Sequence, residues 1–373
     1  MLNKNTRRTV EKLLNTAGIT INGSNAWDIQ VYNSNFYNRV LAEAELGLGE
    51  TYMERWWSAS ALDQFIERIL TADLESCLKK NASFLLDFVS AKLVNRQTRK
   101  RSVQVGLKHY DIGNDLFRHM LDRRMLYTCG YWRRAETLDQ AQEAKLDLVC
   151  RKLNLQPGMT VLDLGCGYGA FGKFAAENYG ARVTGYNISK EQVRLGRELT
   201  RGLPVELLQE DYRNAKGRYD RVISIGMLEH VGPKNHRTYM EVVNRTLKED
   251  GIALIHTIGG NRTTTVSNRW VNRYVFPNGK VPSIAQIGKA MEGLFVMEDW
   301  HNFGRDYDRT LMAWHDNFIE AWPDLKAGYS EKFYRMWTFY LLSCAAAFRA
   351  RTLQLWQIVM TKTGSSQPLC RVS

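Results

Sequence analysis

The chain has no CxxC pair and no Cys/His spacing suited to zinc, and its six cysteines are scattered through 373 residues. That excludes a zinc module, argues against a disulfide framework, and leads to the expectation of a reducing cytoplasm. The opening "MLNKNTRRTVEKLLNTAG" carries basic residues without the apolar stretch of a signal peptide. The longest apolar run, "WTFYLLSCAAAF" at 337–348, is short of the roughly 20 residues that a bilayer crossing takes. Any membrane contact is therefore expected to be peripheral. Internal repeats and low-complexity tracts are missing. So are N-P-P-Y, D-P-P-Y and a Pro-Cys pair after the fourth strand pattern, the groups that would hold or attack a nucleic-acid base; nucleic acid is not an expected partner.

What is present is globular: 44% hydrophobic and 24% charged residues, with a formal net charge of +12. That balance suits an anionic partner such as a phospholipid surface. Residues 1–80 read as short helical segments, for instance "SALDQFIERILTA" near 60–72. The stretch "FLLDFVSAKLVNRQTRKR" at 84–101 then runs apolar residues at helical spacing into Lys92, Arg96, Arg99, Lys100 and Arg101. It is either an amphipathic helix on an anionic membrane or a helix that packs on the main domain with a solvated basic end.

From about 155 the pattern alternates. "MTVLDLG", "ARVTGYNI", "VELLQ", "YDRVISIG" and "GIALIHTI" are short β-branched runs, separated by helical patterns at 170–179, 189–201 and 235–248. This predicts an α/β fold, a parallel sheet with helices on both faces. "LQLWQIVMTK" at 353–362 reads as a final strand, antiparallel at the sheet's edge. The insertion "GGNRTTTVSNRWVNRYVFPNGKVPS" at 259–283 has the length and position of a lid, and offers Arg269 and Arg273 to phosphate head groups.

"VLDLGCGYG", Val161 to Gly169, follows a strand and opens a helix. Gly165, Gly167 and Gly169 allow a tight turn and close backbone approach to a ligand. The G-x-G-x-G spacing is not that of dinucleotide binders. Asp163 at the strand's end is placed to accept from an ammonium group. Asn187 and Ser189 end the second strand where ribose hydroxyls would lie, and Asp211 ends the third where an adenine amine would lie. Together these point to an S-adenosylmethionine site.

Several stretches then resemble one family: "HYDIGNDLF", "MLYTCGYW", "LDLGCGYG", "SIGMLEHVGPKN", "LIHTIG", "FPNGKVPS" and "CAAAFRARTLQLWQ". They are similar to the cyclopropane-fatty-acyl-phospholipid synthases and, more distantly, to the mycolic acid cyclopropane synthases. The resemblance spans essentially the whole chain. It implies a class I S-adenosylmethionine-dependent methyltransferase fold, Rossmann-like with a seven-stranded sheet, beside a smaller, mainly helical N-terminal domain. The implied organisation is a domain at 1–90 for lipid docking and dimerisation, a basic linker at 91–108 and a catalytic domain at 109–373. The implied reaction is methylene transfer from S-adenosylmethionine to the cis double bond of an unsaturated phospholipid acyl chain. The implied setting is a homodimer on the inner face of the cytoplasmic membrane.

By the same resemblance, the cofactor is held by Tyr127 and Thr128, by Val161, Leu162, Asp163, Leu164, Gly165, Cys166, Gly167, Tyr168 and Gly169, by Asn187, Ile188, Ser189, Lys190, Glu191 and Gln192, and by Asp211 and Tyr212. A bicarbonate is held by Cys129, Glu229, His256, Ile258 and Tyr307, and Cys344 carries a proposed catalytic role. Two positions depart from the family: Tyr168 replaces a usual Trp, and Asn187 stands where Thr is usual.

The chemistry has its own requirements. An alkene is a weak nucleophile, so the methyl donor must be a strong electrophile, and attack leaves a carbocation on the acyl chain. A base must then take a proton from the new methyl group before water intervenes, which calls for a dry pocket with π-rich or negative walls. Tyr127, Tyr131, Trp132, Trp270, Tyr274 and Phe276 are the aromatic candidates for walls and lid. The Cys129 thiol, the His256 ring, the Ile258 amide and the Tyr307 hydroxyl are expected to donate to the bicarbonate, and Glu229 to accept from it. No step needs a thiolate, which makes Cys129 a pocket wall and Cys344 a buried filler of a helix. The rival expectations are an amine methyltransferase with the same cofactor half, and a non-catalytic membrane-surface protein.

Overall fold

The computed structural model describes residues 2–72, 74, 113–264 and 268–372. The amphipathic stretch 84–101 and the linker 91–108 lie outside the described residues. Along the described chain run α1 (Leu2–Thr16), β1 (Ile29–Val31), α2 (Phe36–Glu43), α3 (Glu45–Met53), β2 (Trp57–Ala59), α4 (Leu62–Thr71) and α5 (Asn114–Met120). Then come α6 (Leu138–Lys152), β3 (Thr160–Leu164), α7 (Ala170–Tyr179), β4 (Arg182–Asn187), α8 (Lys190–Leu199), β5 (Val205–Gln209), β6 (Tyr219–Ile225), α9 (Leu228–Val231) and α10 (His236–Thr246). The rest are β7 (Leu247–Gly259), α11 (Arg269–Tyr274), α12 (Ile284–Met291), β8 (Val296–Asn302), α13 (Gly304–Leu325), α14 (Glu331–Arg349) and β9 (Gln354–Thr361).

Contacts divide the chain into two compact units. The first gathers Met1–Met120, Val266–Pro277 and Leu311–Thr352, and the second Leu121–Thr265, Asn278–Thr310 and Leu353–Ser373. The resemblance implies a contiguous catalytic domain at 109–373, which is a different way of dividing the chain. Each unit draws on distant stretches because its core is completed by side chains that no local pattern assigns to it.

The first unit is built on aromatic packing. Trp57 is fully buried, its ring 5.0 Å from Phe65 and 5.2 Å from Tyr52, and its indole N–H donates to Thr51 Oγ1 at 3.1 Å. Besides the expected helices this part holds a small antiparallel pair, β1 with β2. Arg335 of α14 donates to the Tyr52 and Trp57 carbonyls, and Arg349 pairs with Asp63 at 2.7 Å. The middle of the expected lid belongs here: Trp270 of α11 packs 4.8 Å from Phe339, and Tyr274 donates to Glu50 at 2.7 Å.

The second unit holds a seven-stranded sheet in the order β5-β4-β3-β6-β7-β9-β8. The first five strands pair in parallel, while β9 runs antiparallel to both neighbours. Successive side chains on a strand face opposite sides, and the buried clusters sort accordingly. Leu162, Leu164, Val222, Ala253 and Ile255 join Tyr239 and Val243 of α10 and Ile287 of α12. Val161, Ile223, Ile252 and Leu254 join Leu146 and Val149 of α6 and Phe174 of α7. Both faces are covered, so these strands read as continuous apolar runs; each large aliphatic buried in this way contributes about 1.5–3 kcal/mol. One expectation is corrected here. The final strand β9 is not the edge, because β8 pairs outside it. Its sequence "VMEDWHN" mixes charge into a half-exposed pattern that an edge strand tolerates and a sequence reading passes over.

Candidate active site

The carboxyl ends of β3, β4, β6 and β7 set the site. At the end of β3 the chain turns through Gly165, Gly167 and Gly169 with φ of +88°, +55° and +77°, a region that favours glycine. The Gly165 and Cys166 amides donate to the Tyr186 carbonyl at 2.9 and 3.1 Å, which seats the turn on β4. Gly185 leaves room for it, since a Cβ there would meet Cys166 Cβ at 2.7 Å. Over Gly167 a Cβ would meet nothing within 4 Å, so the turn faces open space on its ligand side.

Asp163 is 3% exposed, and among the described residues its carboxylate accepts no hydrogen bond. Burial pushes it up to about 7, against the pull of the Lys145 ammonium. A buried acid without a donor, beside an open glycine turn, fits the ammonium end of S-adenosylmethionine.

The polar ends of β4 and β5 are engaged within the protein. The Asn187 amide donates to the Gly167 carbonyl at 3.0 Å and to Gln192 Oε1 at 2.8 Å, while its oxygen accepts from the Ser189 amide at 3.0 Å. Asn187 therefore braces the glycine turn, which a carboxylate could not do. Ser189 caps α8 by accepting from the Gln192 amide, and Ile188 beside it is 75% exposed. Lys190 and Glu191 are exposed on the first turn of α8. Asp211 accepts from the Arg213 guanidinium at 2.6 and 2.9 Å, which holds its carboxyl below the usual range. Tyr212 stacks edge-on with Tyr239 at 5.6 Å.

The loop holding Tyr127, Thr128 and Cys129 is fixed from two sides. From α6, Gln142 donates to the Thr128 carbonyl at 2.7 Å, and Lys145 Nζ donates to Thr128 Oγ1 at 2.9 Å. From α13, Thr310 Oγ1 accepts from the Gly130 amide at 3.1 Å and from the Trp132 indole at 2.9 Å. Asp306 accepts from the Trp132 amide at 2.7 Å. Tyr307, next to it, is 8% exposed. Tyr131, Phe303 and His256 form a run of edge-on rings, with centroids 5.4 and 5.8 Å apart.

At the ends of β6 and β7 two buried atoms have no partner among the described residues. Glu229 Oε1 accepts from the Ile258 amide at 2.7 Å, while the neighbouring Thr257 hydroxyl donates to the Ile258 carbonyl and Glu229 Oε2 is buried with no hydrogen-bond partner among the described residues. The backbone of Glu229 is tied as well, its carbonyl accepting from the Lys280 amide at 2.9 Å. Burial lifts the Glu229 carboxyl to about 6. His256 meets Gln357 Nε2 through Nδ1 at 3.4 Å, and its Nε2 is buried and unpaired. In the tautomer where Nδ1 accepts from the amide, the ring proton sits on Nε2. Burial holds the ring well below its ordinary pKa and so neutral.

Several expected roles change. The Ile258 amide donates to Glu229 Oε1. The Cys129 thiol donates to the Gly130 carbonyl at 3.1 Å, and burial raises it well above the ordinary thiol range. Cys344 lies on α14 in the first unit, where burial pushes its thiol to about 12. Arg273, expected to await phosphate, pairs with Glu50 at 3.3 Å, and Arg269 reaches the Glu43 carbonyl at 3.4 Å. Trp270, Tyr274 and Phe276 sit among the aromatic residues of the first unit, with Phe276 5.9 Å from Tyr340. Sequence reasoning passed over Gln142, Lys145, Thr310 and Gln357. For the first two a signal existed: "QEAKLDL" places them on the same helical stripe as Leu138, Ala141 and Leu148, so the stripe that enters the core carries two polar residues.

Known proteins bear on this arrangement. Residues 97–358 match the family described as mycolic acid cyclopropane synthetase. The cyclopropane-fatty-acyl-phospholipid synthase of Escherichia coli K12 is 51% identical over 355 residues, 95% of this chain and 93% of its own. The solved structure of the cyclopropane synthase MmaA2 from Mycobacterium tuberculosis superposes with a TM-score of 0.64 at 31% identity, covering 68% of this chain and 96% of that one. Mycolic acid cyclopropane synthase CmaA1, complexed with SAH and CTAB, gives 0.64 at 32% identity over the same shares.

Proposed function

The chain belongs to the mycolic acid cyclopropane synthetase family, and we propose that it transfers a methylene group from S-adenosylmethionine to the cis double bond of unsaturated phospholipid acyl chains. It is an S-adenosylmethionine-dependent methyltransferase. When bound, the cofactor supplies an electrophilic methyl group on a sulfonium. The glycine turn, Asp163, and the loop at Tyr127 and Thr128 would hold it.

One observation supports the ring-closing half of the reaction best: the unpaired atoms of Glu229 and His256 are complementary. With Nδ1 accepting from Gln357, neutral His256 offers an N–H at Nε2 that lacks an acceptor among the described residues, and Glu229 Oε2 is an acceptor that lacks a donor there. The group that satisfies both must accept on one side and donate on the other, as the oxygen and the O–H of bicarbonate do. Bound there, it would supply a base in a site that Tyr131, Phe303 and the buried Cys129 keep apolar. Glu229 orients it, His256 holds its charge, and no side chain forms a covalent intermediate. The net charge of +12 supports work at an anionic membrane surface. The reading includes a homodimer in the cytoplasm, docked on the inner leaflet.

The test is incubation of the full chain with labelled S-adenosylmethionine and vesicles of unsaturated phospholipid, followed by mass spectrometry. Acyl chains should gain one CH2 and resist hydrogenation. Labelled amine with untouched lipid would instead select an amine methyltransferase, and no transfer at all a binding protein.

A further inference from the structure

Lys145 has no place in the reaction described so far, yet it is fully buried on α6, under the loop that carries Thr128. Among the described residues its ammonium makes one hydrogen bond, to Thr128 Oγ1 at 2.9 Å, which leaves two donors unused. A buried cation so sparsely bonded is costly unless the site needs its charge. Three acidic groups lie in its electrostatic reach: Asp122, the Cys129 thiol and Asp163. His256 of β7 feels it as well. Asp122 is already held by the Arg124 and Leu126 amides, at 3.0 and 2.8 Å. Asp163 has no such support.

Two consequences follow from geometry. A hydroxyl that accepts from an ammonium must aim its own proton elsewhere, and the neighbouring cation makes it a stronger donor. Thr128 itself is half-buried. Asp163 follows Val161 by two residues, so it shares the sheet face that α6 covers with Leu146 and Val149, and it has Lys145 of that helix as the counter-charge for a carboxylate at 3% exposure.

We propose that Lys145 is a positioning residue for the amino-acid end of S-adenosylmethionine: by polarising the Thr128 hydroxyl it presents a donor for the carboxylate, and by compensating the charge of Asp163 it presents an acceptor for the ammonium. The inference rests on the cofactor reading above and assigns to one buried cation the recognition of a zwitterion. Lys145 itself touches neither end.

The test compares two ligands on the full chain by calorimetry. S-adenosylhomocysteine carries the amino-acid end; 5′-methylthioadenosine keeps the adenosine and the thioether and lacks it. Lys145→Met should weaken S-adenosylhomocysteine roughly tenfold or more and leave 5′-methylthioadenosine unchanged, since the hydrogen bonds it weakens, from Thr128 and to Asp163, reach only the charged amino-acid end. In the wild type, S-adenosylhomocysteine affinity should fall as pH drops through about 7, where Asp163 takes up its proton. In Lys145→Met that fall should begin at higher pH, because the counter-charge is gone. Equal weakening of both ligands, or no change in either, overturns the proposal. If Lys145→Met does not fold, Thr128→Val carries the same test, and unchanged S-adenosylhomocysteine affinity there overturns it. Wild-type protein that binds neither ligand would bring down the cofactor reading itself, which separates the two failures.

Discussion

The Ile258 amide and the Glu229 carboxylate meet at 2.7 Å, joining the end of β7 to the short helix that follows β6. The bond aims the acid. With Oε1 held, Oε2 is left as the one buried acceptor that has no donor on this side chain. A backbone donor cannot rotate away, so the carboxylate is oriented before any ligand arrives.

Replacing Glu229 with Gln keeps a carbonyl for Ile258 but turns the free acceptor into an amide donor. Turnover of unsaturated lipid should fall on the order of 10²-fold, as when an oriented polar group is removed from an active site. The protein should remain folded. Burial raises the Glu229 carboxyl to about 6, so the free enzyme should show a carboxylic-acid infrared band that disappears as pH rises through that value. The component that titrates at about 6, as distinct from that of Asp163 at about 7, should be missing from Glu229→Gln. A band still titrating there would assign the acid to another residue.

Cys129→Ser should retain activity within roughly tenfold, because burial disfavours the thiolate and the thiol already donates to the Gly130 carbonyl, a bond that a hydroxyl repeats. Steady-state kinetics on vesicles decide this. Complete loss would restore a nucleophilic role.

Asn187→Asp tests the brace of the glycine turn. A carboxylate at the end of β4 suits ribose hydroxyls in other nucleotide folds, but here it would face the Gly167 carbonyl and Gln192 Oε1 with no proton to give. Binding of S-adenosylhomocysteine should weaken roughly tenfold through the two lost hydrogen bonds. Tighter binding in calorimetry would mean that the side chain leaves the turn for the ribose.

Gly49→Ala tests the seat of α11. A Cβ at Gly49 would meet Trp270 Cδ1 at 2.4 Å, against a ring that is 1% exposed. Overpacking of this kind costs about 1–3 kcal/mol. Urea unfolding should show the loss, and limited proteolysis should cut sooner near 269–274. Wild-type stability would show that Trp270 moves aside without strain.

The sheet was legible in the sequence because β-branched runs between glycine turns and helical patterns have few other solutions. The pattern placed α7, α8 and α10 to within a few residues. It missed β8, because "VMEDWHN" alternates too irregularly to declare a strand, and with it the interior position of β9. In the site, "LDLGCGYG" announced its own geometry, since three glycines with positive φ form one compact turn. The partners of that geometry were not announced. A lysine in a helical pattern reads as solvent-facing until the helix is packed, and only packing shows Lys145 beneath Thr128. Likewise Arg273 reads as a free cation until Glu50, more than two hundred residues away, is set beside it.

The order of strands, the nucleotide-type turn and the residue types of the site follow from sequence, because local propensity and spacing decide them. Which hydrogen bonds each group keeps, and which atoms stay unpaired at Glu229 and His256, was settled only by the tertiary structure. Burial and long-range pairing act between residues that the chain holds far apart, and they determine charge, donor direction and dryness. Those three properties make the strand ends a reactive site.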